Sequence, residues 1–171
     1  AYARCYDAFF PALGNPDVIK FLNAKAEKYG ISNKKENAQQ IKQNIEDGIC
    51  RETFNGVKTG KIAGNFGMTE EALCAAAVAL DAQPETNEML DFMFRYGTKA
   101  VTNVTGLGMQ TTFVNEVDRD GNGNEVGLGY NLIWLQDNLK VAELLHNYPG
   151  YTGISLYNNP KYRKMFSGQM P

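Results

Sequence analysis

A chain of 171 residues, 43% hydrophobic and 21% charged, is long enough for one globular domain spanning 1–171 and too apolar for a disordered polymer. Its formal net charge of -2, with lysines scattered along the length, offers no basic field to a phosphate backbone, so nucleic acid is excluded as the expected partner. The longest nearly apolar stretch, residues 72–80, is about half of the ~20 residues that a bilayer-spanning helix needs, and no membrane span is expected.

In chain order, Asn15 and Pro16 supply a helix cap and a first helical position, Val18, Phe21, Leu22 and Ala26 form an apolar face, and Gly30 is the stop. A second helix is expected from Asn33, with Glu36 as its capping-box partner. Ile41, Ile45 and Ile49 recur at four-residue spacing, and Gly48 is the expected end. Residues 52–66 carry glycines and few apolar repeats, which predicts a loop or short hairpin.

Thr69, followed by Glu70 and Glu71, reads as a cap with two acids at the positive end of a helix whose inner face is Leu73, Ala76, Ala77 and Leu80. Pro84 ends that helix. Residues 85–96 restart with Met89, Leu90, Met93 and Phe94 on one side, and Gly97 stops them. Around residues 99–134 the pattern changes. β-Branched residues at 101–105 and 111–114, with glycines between them, predict a minor β-hairpin or irregular region. Helical spacing returns with Leu139, Ala142 and Leu145 after a cap at Asp137. Asn159 and Pro160 then open a last helix carrying Tyr162, Met165 and Phe166. The fold class is therefore mostly α, a single compact helical domain with that one minor exception.

Cys5, Cys50 and Cys74 have no Cys-x-x-Cys spacing, so at most one bridge can form, and Cys5 with Cys50 is the expected pair because Cys74 lies in an alanine-rich helix. The start at Ala1 without methionine is what either a cleaved signal peptide or a trimmed chain leaves, and one Asn-x-Thr triplet stands at Asn103. Together these predict an exported, extracytoplasmic protein, periplasmic or secreted.

The densest chemistry lies in residues 118–125. Asp118, Asp120, Asn122 and Gly123 meet the spacing Asp-x-Asp/Asn-x-Asp/Asn-Gly, and Asn124 offers a carbonyl at the seventh position, so the first half resembles an EF-hand loop. The twelfth position is Gly129 rather than a bidentate glutamate. Calcium held by Asp118, Asp120, Asn122 and Asn124 is then expected to be weak, of the order of 10⁻⁴ to 10⁻³ M. The same Asp-Gly and Asn-Gly pairs also suit a plain solvated turn without metal.

Glu116 ahead of this glycine-rich run, with Glu125 inside it and residues 127–130 after it, resembles the active-site hairpin of lysozyme-type glycan hydrolases. That resemblance implies Glu116 as an acid in a dry setting, near Val114 and Val117, and Glu125 or a neighbouring aspartate as the second carboxylate. His146 is the single histidine, which excludes a histidine metal cluster, and any Cys-His pair must join it to Cys5, Cys50 or Cys74, with Cys5 and His146 as the pair for a conceivable cysteine hydrolase. Tyr130, Trp134, Tyr148, Tyr151, Tyr157 and Tyr162 crowd the C-terminal third and suit either a partner-binding groove or the cover of a core. The leading functional expectation is a non-enzymatic module binding a protein or a glycan, and the alternative is a small glycan hydrolase.

Overall fold

The structure is a computed structural model that describes residues 1–97, 108–125 and 127–168. It is mostly helical. The helices are α1 (Tyr2–Phe9), α2 (Pro16–Lys28), α3 (Ala38–Ile45), α4 (Glu52–Lys58), α5 (Met68–Leu80), α6 (Glu85–Asp91), α7 (Met109–Asn115), α8 (Leu128–His146) and α9 (Pro160–Gly168). Two π-helical turns, Glu46–Arg51 and Phe92–Tyr96, extend α3 and α6.

Helix α5 is the hub and packs against α1, α4, α6 and α8. Its small side chains explain this. Ala75, Ala76 and Ala77 let neighbouring backbones approach on several sides, while Leu73 and Leu80 fill the space above and below, and all five are buried. Opposite it, α8 turns Trp134, Asn138 and Val141 inward at helical spacing. Met89, Leu90, Met93 and Phe94 complete the core, as their periodicity predicts. Phe66 joins the layers by meeting Phe113 and Trp134 edge-on, each at a centroid distance of 5.2 Å. Among the described residues no helix is long and apolar enough to cross a membrane.

The outer helices follow local signals. Asn15 caps α2 by accepting the Asp17 N–H at 2.8 Å, and Asn159 caps α9 by accepting from the Lys161 and Tyr162 N–H groups. The cap of α3 is Asn37 rather than Asn33, with its side-chain oxygen 3.0 Å from the Gln40 nitrogen. The N-cap of α5 stands two residues before the expected one, Thr69. Gly67 is the N-cap residue at φ 98°, its N–H donates to the Glu70 carboxylate at 2.8 Å, and Thr69 is buried inside the first turn.

Several expectations are corrected. Gly48 does not end the second helix, and residues 52–66 do not begin as a loop. The chain stays helical from α3 through the π turn into α4. A helical glycine costs about 1 kcal/mol, whereas the run seats Cys50 and Val57 in the core and lets Arg51 clamp Glu85 through two nitrogens. Asp137 is no cap but an interior residue of α8, buried and 2.5 Å from Lys140.

The hairpin expected around 99–134 is absent among the described residues, where an isolated antiparallel bridge between Val117 and Gly123 is the whole of the β structure. Residues 111–114 are helical in α7, because Met109, Thr112 and Phe113 fall on one buried face and non-local packing overrides β propensity. Residues 101–105, including the Asn103 triplet, lie outside the described residues. The expected Cys5–Cys50 bridge is also absent, and all three thiols are free. Cys5 is exposed on α1, while Cys50 and Cys74 are buried, and desolvation pushes their thiols up to about 11 and about 12.

Candidate functional site

The acidic run forms a tight, backbone-closed turn between α7 and α8. The Asp118 N–H donates to the Asn122 carbonyl at 2.8 Å, the Gly121 N–H to Asp118 at 3.1 Å, and the Asn124 N–H to Glu116 at 2.7 Å. Val117 anchors it from below at 2% exposure. Each glycine has a packing reason. A Cβ on Gly121, whose φ is 96°, would lie 2.2 Å from the Lys164 carbonyl oxygen, and one on Gly123 would lie 2.5 Å from the Trp134 ring. The turn is thus clamped between the start of α8 and the end of α9, and its glycines are explained without a ligand.

The six residues singled out in sequence divide into groups. Asp118 and Asp120 are exposed and share a shallow depression of about 430 Å³ with Val114, Asn115, Val117, Arg119 and Lys161. Glu116 and Asn124 pair with each other, the Asn124 amide donating to the Glu116 carboxylate at 2.9 Å. Asn122 is half-buried and presents its backbone to Asp118, and Glu125 is half-buried. Lys161 reaches in from α9 and donates to the carbonyls of Val114 and Val117. Two cations therefore stand beside the two aspartates. Among the described residues no three His, Cys, Asp or Glu side chains are grouped to hold a metal ion, so any cation bound here would also need amide and carbonyl oxygens.

Acid catalysis at Glu116 asks for a dry pocket. Val114, expected to help shelter it, is 69% exposed, and Glu116 itself is half-buried. The driest acid is one that sequence reasoning treated only as a dipole partner. Glu70 is 5% exposed, and burial pushes its carboxyl up to about 7, with Asp137 adding in the same direction and backbone N–H groups opposing. The void beside it, lined by Val57, Thr69, Leu73 and Phe92, measures about 10 Å³, no more than a water's size. A sugar has no access there, so Glu70 is structural. The signal that could have exposed it was its place three residues after Gly67, the capping-box spacing.

A different surface stands out at the N-terminus. Tyr2, Phe9, Phe10, Phe21, Tyr29 and Ile31 are all at least 47% exposed, and α2 buries only Ala26. Lysines flank the rings, with Lys25 lying 5.2 Å from the Phe21 centroid and Lys28 5.5 Å from that of Tyr29. Compared with family models, curated proteins and solved structures, the chain matches none.

Proposed function

We propose that this chain is an exported, non-enzymatic binding or interaction module that docks a partner through its α1–α2 arm. One observation carries the reading. A capped helix of 13 residues buries a single alanine and leaves Phe21 58% exposed, and Tyr29 and Ile31, just past its end, are exposed as well. Large apolar groups gathered in one segment are what a partner-binding surface requires. The acidic turn has a secondary role in this reading, holding calcium weakly through Asp118, Asp120, Asn122 and Asn124. Exposed carboxylates on a rigid turn support that role, and Arg119 and Lys161 keep the affinity low.

A photo-crosslinker at position 21 is expected to capture a partner in extracytoplasmic extract, and one at the exposed Glu88 of α6 is not. Equal capture from both positions, or none from position 21, rejects the arm. Calcium at several times the millimolar upper bound of weak sites is expected to raise the melting temperature of the parent and not of Asp118→Ala or Asp120→Ala. The glycan hydrolase reading retains one support, the Asn124 amide that orients Glu116. Chitin or peptidoglycan turnover that disappears in Glu116→Gln would favour it over the binding module.

A further inference from the structure

Between the last turn of α8 and α9 the chain makes a loop, residues 151–158, that closes over the end of α8. The cleft so formed holds about 350 Å³ and is lined by His146, Tyr151, Ser155, Leu156, Tyr157 and Asn158 among others. This volume lies inside the roughly 300–1,000 Å³ range of small-molecule sites.

Its walls are fixed from behind. Tyr151 stacks on Phe94 at 5.9 Å with the rings 5° from parallel, and its hydroxyl donates to Asp91 at 3.1 Å. The Tyr157 hydroxyl donates to Glu143, its ring meets His146 edge-on at 5.6 Å, and Leu156 is buried beneath. By contrast, the imidazole of His146, the hydroxyls of Thr152 and Ser155 and the amide of Asn158 make no hydrogen bond among the described residues. A pre-formed wall with unengaged donors and acceptors pays little ordering cost when it takes a ligand.

The lining also limits the ligand. No Asp, Glu, Lys or Arg faces the cleft, so phosphate and carboxylate ligands, which call for cationic or bidentate partners, are poorly served. Hydroxyl, amide and imidazole groups that both donate and accept, beside an aromatic ring, match a molecule with many hydroxyls and one apolar C–H face. We propose that this cleft binds a neutral sugar ring, with His146, Ser155 and Asn158 hydrogen-bonding its hydroxyls and Tyr157 lying against its C–H face. The proposal goes beyond the docking arm, and either can fail without the other.

The test is a titration of the ¹⁵N-labelled full chain with oligosaccharides of N-acetylglucosamine, of β-linked glucose and of α-linked glucose, and with glycerol, each to about 10 mM, in the range of weak single-site binding. At least one oligosaccharide is expected to give saturable shifts at residues 146 and 151–158 and none at residues 118–124, while glycerol gives none. His146→Ala and Asn158→Ala, both exposed, should each weaken binding about tenfold, the loss of one hydrogen bond. Glu88→Gln, exposed on α6 and outside the lining of the cleft, should bind like the parent. Absence of shifts in the cleft with all three sugars, or binding unchanged in both alanine variants, overturns the proposal.

Discussion

Helices α2 and α5 have the same length, 13 residues, yet α5 buries eight of them and α2 buries one. Both begin at a satisfied N-terminus, Asn15 in one case and the Gly67–Glu70 pair in the other. The difference lies in what faces them. Helix α5 is crossed by four other helices, so even its polar first turn is enclosed, whereas α2 lies at the margin and keeps its rings and lysines in solvent. Capping and periodicity make a helix; only neighbours decide whether it becomes core or contact surface.

Substitutions in the two helices sharpen that contrast. The largest effect is expected for Leu73→Ala at the centre of α5, a loss of about 2–5 kcal/mol in urea unfolding, because a close-packed site collapses only partly around the missing atoms. A loss within about 1 kcal/mol would break the picture of α5 as hub.

Next comes Glu70. Burial raises its carboxyl from an ordinary 4.5 to about 7, so the folded state favours the neutral acid. Its contribution is complete below about pH 4.5 and is lost as pH rises through 7, on the order of 3 kcal/mol by pH 8. Glu70→Gln should flatten the stability profile between pH 5 and pH 8 by roughly that amount. An unchanged slope would mean that another group titrates.

Smaller again is Asn15→Ala, which removes the cap of α2 for about 1 kcal/mol. Amide hydrogen exchange should speed up within residues 16–28 while α5 stays protected. Equal acceleration in both helices would show that α2 is coupled to the core. The smallest stability effect belongs to Phe21→Ser, within about 0.5 kcal/mol by thermal melting because the ring is 58% exposed. With the crosslinker moved to the exposed Lys25 position, the same variant should abolish capture of a partner by the arm; a large stability loss instead would make Phe21 a packing residue.

The candidate site was less legible than the helices. Proximity in sequence brought Glu116, Asp118, Asp120, Asn122, Asn124 and Glu125 together, and the turn there is real, but the direction of each side chain depends on the clamp made by Trp134 and the end of α9, which lie beyond the turn. Lys161, from the same helix, was equally invisible as a neighbour of the aspartates. His146, Tyr151 and Tyr157 could be noticed as residue types. Their meeting in one cleft follows from the return of residues 151–158 over α8, a path that no local pattern encodes.

What the sequence determined by itself was whatever depends on a few consecutive residues. The helical class, the caps at Asn15 and Asn159, the stop at Gly97 and the inner faces of α5 and α6 all follow from backbone preference and apolar spacing. The tertiary structure alone decided that residues 111–114 are helical, that Gly48 sits inside a helical run, that Asp137 lies mid-helix and that α2 stays exposed. Each of these is a contest between a weak local preference of about 1 kcal/mol or less and the burial of several side chains against distant parts of the chain, and the larger non-local term wins.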